Sequence, residues 1–101
     1  MNPEAHGMLG ILNRAKLVAF GPAVLGAMRK AHLLILAKDG SPWTLKEAEA
    51  EAKKHEVQVY YVDHKEELGM PLGRDELTAV AILSKKAASS LLAKLQKGET
   101  P

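Results

Sequence analysis

The sequence contains no cysteine. This excludes disulfides, thiolate metal sites and a cysteine nucleophile, and it fits a reducing compartment. Only 4% of the 101 residues are aromatic whereas 47% are apolar, so the predicted core is aliphatic. No apolar run approaches the roughly 20 residues that span a bilayer, and no signal peptide is recognisable. We therefore expect one cytoplasmic domain over residues 1–101, with no membrane partner and with residues 99–101 frayed.

Motifs for catalysis and for cofactors are also missing. Neither G-x-G-x-x-G nor G-x-x-x-x-G-K-[ST] occurs, so neither common nucleotide loop is supported. The four histidines, at positions 6, 32, 55 and 64, stand at no metal-ligand spacing. Asp63-His64 follows a predicted strand, as catalytic residues of α/β folds do, but an ordinary polar pair that ends a strand explains it better. We expect a protein that is not an enzyme and that uses no cofactor and no metal.

The charge is unevenly distributed, although its net value is only +2. Up to Ala37, Glu4 is the sole acid, and the bases there are Arg14, Lys16, Arg29 and Lys30. From Ser84 onward Glu99 is again the sole acid, against Lys85, Lys86, Lys94 and Lys97. Two basic regions thus flank an acidic middle. This asymmetry is typical of a polyanion-binding face, and solvated helix ends explain it about equally well.

The stretch 16–39 organises the chain as strand, turn, helix and strand. The predicted elements are an apolar strand over 17–20, a reversal at Gly21-Pro22, a helix over 23–30 and a strand buried on both faces over 33–37. Proline is tolerated in the first turn of a helix. The backbone N–H groups that follow Gly21 would open this helix at the sheet edge, where they could meet an anion.

Periodicity predicts the remaining elements. Helices are expected over 5–14, 44–54 and 85–97, a helical turn over 65–68, and strands over 57–62 and 78–83. Ser41 or Thr44 is the predicted cap of the helix over 44–54, and Ser84 caps the last helix. Trp43 is either an exposed stacking platform or, as we favour, a staple over that helix. The order of elements predicts an α/β fold, a three-layer α/β/α sandwich on a four-stranded mixed sheet.

Several strings, in this order, resemble a known family. They are LGILNRAKLV, FGPAVLGAMRKAHLLILAKDGSP, VQVYYVDHKEELGMPLGRDE and TAVAILSKKAASSLL. The chain resembles the kink-turn RNA-binding superfamily of ribosomal-type proteins, the L-seven-Ae and L-thirty-e large-subunit proteins. It is most similar to the small bacterial members encoded beside translation-initiation and termination factor genes. The KEELG and LGRDE strings, at this spacing before the last strand, are the most specific part.

The resemblance implies RNA binding at one end of the sandwich. In this family the RNA lies against the start of the second helix, the basic end of the first helix and the loop before the last strand. The resemblance places these contacts at Lys16, at Gly21 with Pro22 to Val24, and at 73–77. With the basic residues that we expect to contact the RNA backbone, the predicted RNA-binding residues are Arg14, Lys16, Gly21, Pro22, Ala23, Val24, Arg29, Lys30 and Arg74. The implied partner is structured RNA, ribosomal or another non-coding RNA, in a ribonucleoprotein of the translation machinery; the ribosome is one possible partner, and no DNA is expected.

The chain departs from the family at the positions whose side chains contact the edges of RNA bases. Kink-turn binders carry Asn-Glu, and then Lys three residues on, directly after the glycine, whereas this chain has the apolar run Pro22–Gly26. Loss of those polar groups is expected to cost about 1–3 kcal/mol of discrimination per base contact. The alternative function is a protein-interaction module whose apolar first turn is the contact. The sandwich also resembles the substrate-recognition domain attached to some RNA ribose methyltransferases, here without a catalytic domain.

Overall fold

Helices and strands alternate through the computed structural model, which describes residues 1–97. Their bounds are α1 Pro3–Arg14, β1 Val18–Phe20, α2 Ala23–Ala27, β2 Leu33–Ala37, α3 Pro42–Lys54, β3 Val59–Val62, α4 Lys65–Gly69, β4 Ala79–Ile82 and α5 Lys85–Lys97. Two 3₁₀ turns, Met28–Lys30 and Met70–Leu72, extend α2 and α4. The predicted helix end at Gly98 and the predicted fraying of 99–101 lie outside the described residues.

The three long helices begin at side-chain caps. The Asn2 side chain accepts a hydrogen bond from the Ala5 N–H at 2.9 Å, and Ser84 Oγ accepts one from the Ala87 N–H at 3.2 Å. Ser41 Oγ accepts from the Thr44 N–H at 3.5 Å. Each bond satisfies a backbone donor that has no partner inside the helix. Ser84 is thus the cap that the sequence predicts, and of the two candidates for α3 the structure selects Ser41.

The strand order in the sheet is β1-β4-β2-β3, with β2 parallel to β3 and β4 antiparallel to both of its neighbours. One end of the sheet therefore holds the last residues of β1, β2 and β3 together with the first residue of β4. We call this the Gly21 end. The other end holds the first residues of β1, β2 and β3 together with the last residue of β4, and we call it the Ser84 end. Each candidate RNA-contacting residue lies at one of these two ends.

Helices cover both faces of the sheet, as the alternation along β2 shows. Leu33 and Ile35 pack among buried residues of α1, α4 and α5, whereas Leu34 and Leu36 pack among those of α2 and α3. The largest fully buried side chains are all aliphatic: leucines, isoleucines, a valine and Met28. This arrangement confirms the three-layer α/β/α sandwich on a four-stranded mixed sheet.

Four elements are shorter than predicted. β1 begins at Val18 instead of residue 17, and β4 covers Ala79–Ile82 instead of 78–83. The helix predicted over 23–30 ends as an α-helix at Ala27 and tightens into the 3₁₀ turn, next to Gly26, which lowers helix propensity by about 1 kcal/mol relative to alanine. The strand predicted over 57–62 begins at Val59 instead. Glu56 takes a left-handed φ of 55°, and the Val57 N–H donates to the Ala52 carbonyl at 2.8 Å. The chain is therefore still turning out of α3 at Val57.

The preferred prediction for Trp43 is wrong. Trp43 lies inside the first turn of α3 because the helix starts at Pro42, not at Thr44. Its side chain is 71% exposed, so it does not pack over the helix as a staple. An indole in this position is available to solvent at the Gly21 end.

Candidate nucleic-acid interface

The Gly21 turn follows β1 and has a backbone conformation that favours glycine. Gly21 has a φ of +64°, which L-residues with a side chain adopt at a cost of about 1–2 kcal/mol. Of the residues expected to form an anion cradle there, Pro22 has no N–H, and the Val24 N–H donates to the Gly21 carbonyl at 3.2 Å. The helix that follows, α2, is only five residues long. The turn therefore offers an anion few donors.

A groove of about 370 Å³ opens beside this turn. Its lining is mainly apolar: Gly21, Pro22, Val24, Leu25, Ala48, Leu77 and Ala79, with Thr44 and Thr78. The two charged side chains in the lining are the carboxylates of Glu47 and Glu76. Carboxylates in this position repel phosphates. The groove is thus suited to an apolar group rather than to a nucleic-acid backbone.

Arg74 lies near the Gly21 turn, as predicted. Gly73 has a φ of +73°, and the Arg74 N–H donates to the Gly69 carbonyl at 2.9 Å. The guanidinium lies over the Phe20 ring, 5.2 Å from its centroid, in cation–π geometry. Phe20 directly precedes Gly21, so the structure brings Arg74 together with the turn.

Two other cations at the Gly21 end, Lys38 and Lys65, are close to carboxylates. Lys38 Nζ lies 3.4 Å from an Asp63 carboxylate oxygen, and Lys65 Nζ lies 3.3 Å from one of Glu76. In the order of the chain, the acids at this end are Asp39, Glu47, Asp63, Glu66, Glu67, Asp75 and Glu76, and the cations are Lys38, Lys46, Lys65 and Arg74. The Gly21 end therefore carries more acid than base.

The remaining predicted contacts lie at the opposite end of the sheet. Arg14 is the last residue of α1, and Lys16 stands two residues before β1. Arg29 and Lys30 close the 3₁₀ turn shortly before β2. About five residues separate Lys16 from Gly21, roughly 15 Å at the rise of a strand. The predicted residues thus divide between two ends and do not form one surface.

Two further lysines, which are not among the predicted contacts, lie at the Ser84 end. Lys85 and Lys86 open α5 directly after β4, and both are exposed. Their place follows from the antiparallel direction of β4, which brings its last residue beside the starts of β1 and β2. The signal in the sequence was the basic character of the region after Ser84, but the direction of the last strand was needed to place it.

One carboxylate near the Gly21 end has a pKa that differs from its ordinary value. Glu67 is partly buried, which opposes ionisation, but the amino group of Met1 and the His64 backbone N–H donate to its oxygens and lower its pKa below the usual value. The His64 bond is 2.9 Å long. On β3, a hydrogen bond to Glu49 raises the pKa of Tyr61. Neither group belongs to a cluster with catalytic geometry.

Some kinds of site are not found among residues 1–97. No three His, Asp or Glu side chains are grouped so that they could hold a metal ion. No helix there is both long and apolar enough to cross a bilayer.

Comparison with known proteins places the chain in a family. Curated protein sequences give no match. A protein of unknown function from Bacillus halodurans C superposes with a TM-score of 0.83 at 21% identity, covering 94% of this chain and 99% of the other. The Giardia lamblia 15.5kD RNA binding protein superposes with a TM-score of 0.71 at 17% identity, covering 94% and 87%. At these identities the two structures show a shared fold.

The family assignment comes from the sequence itself. A model of the Ribosomal protein L7Ae/L30e/S12e/Gadd45 family matches residues 26–93, from the second half of α2 into α5. The matched span holds three of the four strands and runs through the loop that carries Arg74. The chain belongs to the Ribosomal protein L7Ae/L30e/S12e/Gadd45 family.

Proposed function

We propose that this chain is a non-catalytic RNA-binding protein of the translation machinery that holds structured RNA, ribosomal or another non-coding RNA, through contacts to phosphates. Membership of the family supports RNA binding, and so does the printed name of the Giardia neighbour. The observation that carries the proposal is a set of exposed cations, Arg14, Lys16, Arg29 and Lys30, none of which forms an ion pair within residues 1–97. Cations in this state gain most from a polyanion, because no existing partner is lost.

The proposed binding is weakly selective for sequence. Phosphate contacts position a protein on RNA, whereas polar side chains at base edges provide specificity. At the Gly21 turn, Pro22 to Gly26 offer no side-chain donor or acceptor. This chain therefore lacks the polar side chains with which the family recognises kink-turns. We therefore propose recognition by shape and charge, the usual basis for binding double-stranded RNA.

A direct binding comparison tests this function. The purified chain is titrated into a fluorescein-labelled kink-turn RNA and into a plain duplex of equal length, between about 50 and 200 mM salt. We expect similar affinities for both RNAs and a steep loss of affinity as salt rises. Absence of binding at the lowest salt, or an affinity that does not respond to salt, would contradict the proposal.

A second candidate function, a protein-interaction module, is supported by the groove at the Gly21 end. Its apolar lining includes Leu25, which is 37% exposed and so lies partly open to solvent. Apolar surface of this kind is typical of protein contacts. Sedimentation of the wild type and of Leu25→Glu across a range of concentrations distinguishes the candidates. Self-association that Leu25→Glu abolishes, without any RNA binding, would favour this second function.

A further inference from the structure

At the Ser84 end of the sheet, lysines lie beside the ends of three adjacent strands. The Leu83 N–H donates to the Leu17 carbonyl at 2.8 Å, which joins the end of β4 to the start of β1. The His32 N–H donates to the Ile82 carbonyl at 2.8 Å, which joins the end of β4 to the start of β2. Within two residues of these bonds along the chain stand Lys16, Lys30 and Lys85.

The three lysines flank the ends of three adjacent strands. Neighbouring strands lie about 4.8 Å apart, so the ends of β1, β4 and β2 beside them span about 10 Å. A nucleic-acid strand carries one phosphate per nucleotide, so an RNA stem laid across this end presents several phosphates to them. The flexible stems of lysine allow each ammonium group to follow the backbone of the RNA.

The cations here are exposed and uncompensated. Lys16, Lys30, Lys85 and Lys86 are all exposed, and none forms an ion pair in the described chain. Lys53 and Lys54 add further charge at the end of α3, and the acids nearby are Glu51 and Glu56. At the Gly21 end, by contrast, Lys38 and Lys65 lie beside carboxylates.

Three of these lysines occupy positions that folding alone does not favour. Lys16 has a φ of +62°, a conformation that glycine adopts far more easily than lysine. Lys85 and Lys86 are the first two residues of α5, where the positive end of the helix dipole opposes a cation. A negatively charged ligand at this place would offset both effects.

We infer that the Ser84 end is the surface on which RNA lies, with Lys16, Lys30, Lys85 and Lys86 contacting phosphates of a double-stranded stem. The inference rests on the proposed RNA-binding function and assigns it to the end of the sheet opposite the Gly21 turn. Arg14 and Arg29 flank the row. Arg74 and the Gly21 turn remain outside the contact.

The test compares two pairs of lysines in the full chain. Lys85→Ala with Lys86→Ala removes two charges from the Ser84 end, and Lys38→Ala with Lys46→Ala removes two exposed charges from the Gly21 end. The probe is a fluorescein-labelled RNA hairpin with an uninterrupted stem. Thermal unfolding of each variant confirms that it remains folded, and we expect the Lys85 and Lys86 changes to leave it intact because both side chains are exposed.

The expected results separate the two ends. Removing Lys85 and Lys86 weakens binding by about tenfold or more near 0.1 M salt and lowers the salt dependence by about one per lost contact. The Lys38 and Lys46 variant changes the affinity by less than about threefold, since Lys38 is already paired. Trp43, the sole tryptophan, lies at the Gly21 end, so its fluorescence does not change when the stem binds.

These measurements distinguish an error in the assigned surface from an absence of RNA binding. If the wild type binds the hairpin, but Arg74→Ala or the Lys38 and Lys46 variant weakens it while the Lys85 and Lys86 variant does not, the inference is overturned and the RNA-binding function stands. Quenching of Trp43 by the stem would overturn it in the same way. If the wild type binds no RNA at low salt, the function fails and the inference fails with it.

Discussion

The Gly21 end and the Ser84 end belong to one small sheet, but they differ in what their charged side chains contact. At the Gly21 end Lys38 and Lys65 lie beside carboxylates, and Arg74 covers Phe20. At the Ser84 end Lys30 and Lys85 face solvent. A cation that must first leave a partner gains less from a phosphate than one that is free. Under the proposed function, a shared fold does not by itself determine which end of the sheet binds RNA.

Reversal of charge at the Ser84 end is the change with the largest expected effect. Lys30→Glu with Lys85→Glu replaces two phosphate contacts by repulsion, so we expect RNA affinity to fall by about 100-fold near 0.1 M salt. The matched control, Lys38→Glu with Lys46→Glu, makes the same change of charge at the Gly21 end and should lower affinity by a few fold at most, through long-range repulsion. Fluorescence anisotropy with a labelled RNA stem measures both. Equal losses in the two variants would show that net charge, and not its position, governs binding.

Crowding of the loop before β4 perturbs only the Gly21 end. A Cβ built on Gly69 would lie 2.6 Å from the Glu76 backbone Cα and N, so Gly69→Ala must move that segment. We expect a loss of about 1–3 kcal/mol in the free energy of unfolding, measured with urea, and an unchanged RNA affinity.

The control for Gly69→Ala is Gly7→Ala in α1. A Cβ on Gly7 meets nothing within 4 Å, so the change should raise the free energy of unfolding by about 0.5–1 kcal/mol. A folded Gly69→Ala variant that had lost RNA binding would place the contact at the loop, against our assignment.

Substitution of Lys16 should change the stability of the fold and the RNA affinity in opposite directions. Lys16→Gly relieves a positive φ, so we expect the free energy of unfolding to rise by about 0.5–1 kcal/mol. At the same time the RNA affinity should fall by about tenfold near 0.1 M salt, because one phosphate contact is lost. Glu56→Gly is the matched control, since Glu56 has a φ of +55°. It should stabilise the fold similarly without weakening RNA binding. Parallel changes in both variants' RNA affinity would refute a phosphate contact by Lys16.

Acid is expected to lower the stability of the fold through Glu67, near the Gly21 end. The pKa of Glu67 is lowered on folding, so its ionised form stabilises the fold above its usual pKa near 4.5. This contribution is lost as the pH falls through the lower folded pKa. Urea unfolding between about pH 3 and 6 should show the loss, and Glu67→Gln should reduce the pH dependence in that range. An identical pH profile for the variant would exclude Glu67 as the group responsible.

The sequence predicted elements well where local signals agree. The run Leu33–Ala37 was predicted with its observed bounds, because five consecutive apolar residues between turns have few alternatives. Ser84 was recognised as a cap for the same reason. Trp43 was misplaced because Ser41 and Thr44 are both acceptable caps, and the choice of Ser41 puts the indole inside α3.

The distribution of the candidate contacts could not be derived from the sequence. Lys16, Arg29 and Arg74 look equivalent as exposed cations, but the strand order and the antiparallel direction of β4 send Arg74 to one end and the other two to the opposite end. These non-local pairings leave no short-range signal. Whether a lysine is paired likewise depends on which loop of the sheet lies beside it, as for Lys65 and Glu76.

A map of backbone amide chemical shifts during titration with an RNA stem distinguishes the two ends of the sheet in one measurement. If RNA binds at the Ser84 end, the largest changes cluster at 16–17, 30–32 and 84–86. The resonances of 21–24 and 73–78 should remain close to their free positions. The opposite distribution, with the largest changes at 21–24 and 73–78, would contradict the account and return the RNA to the Gly21 end.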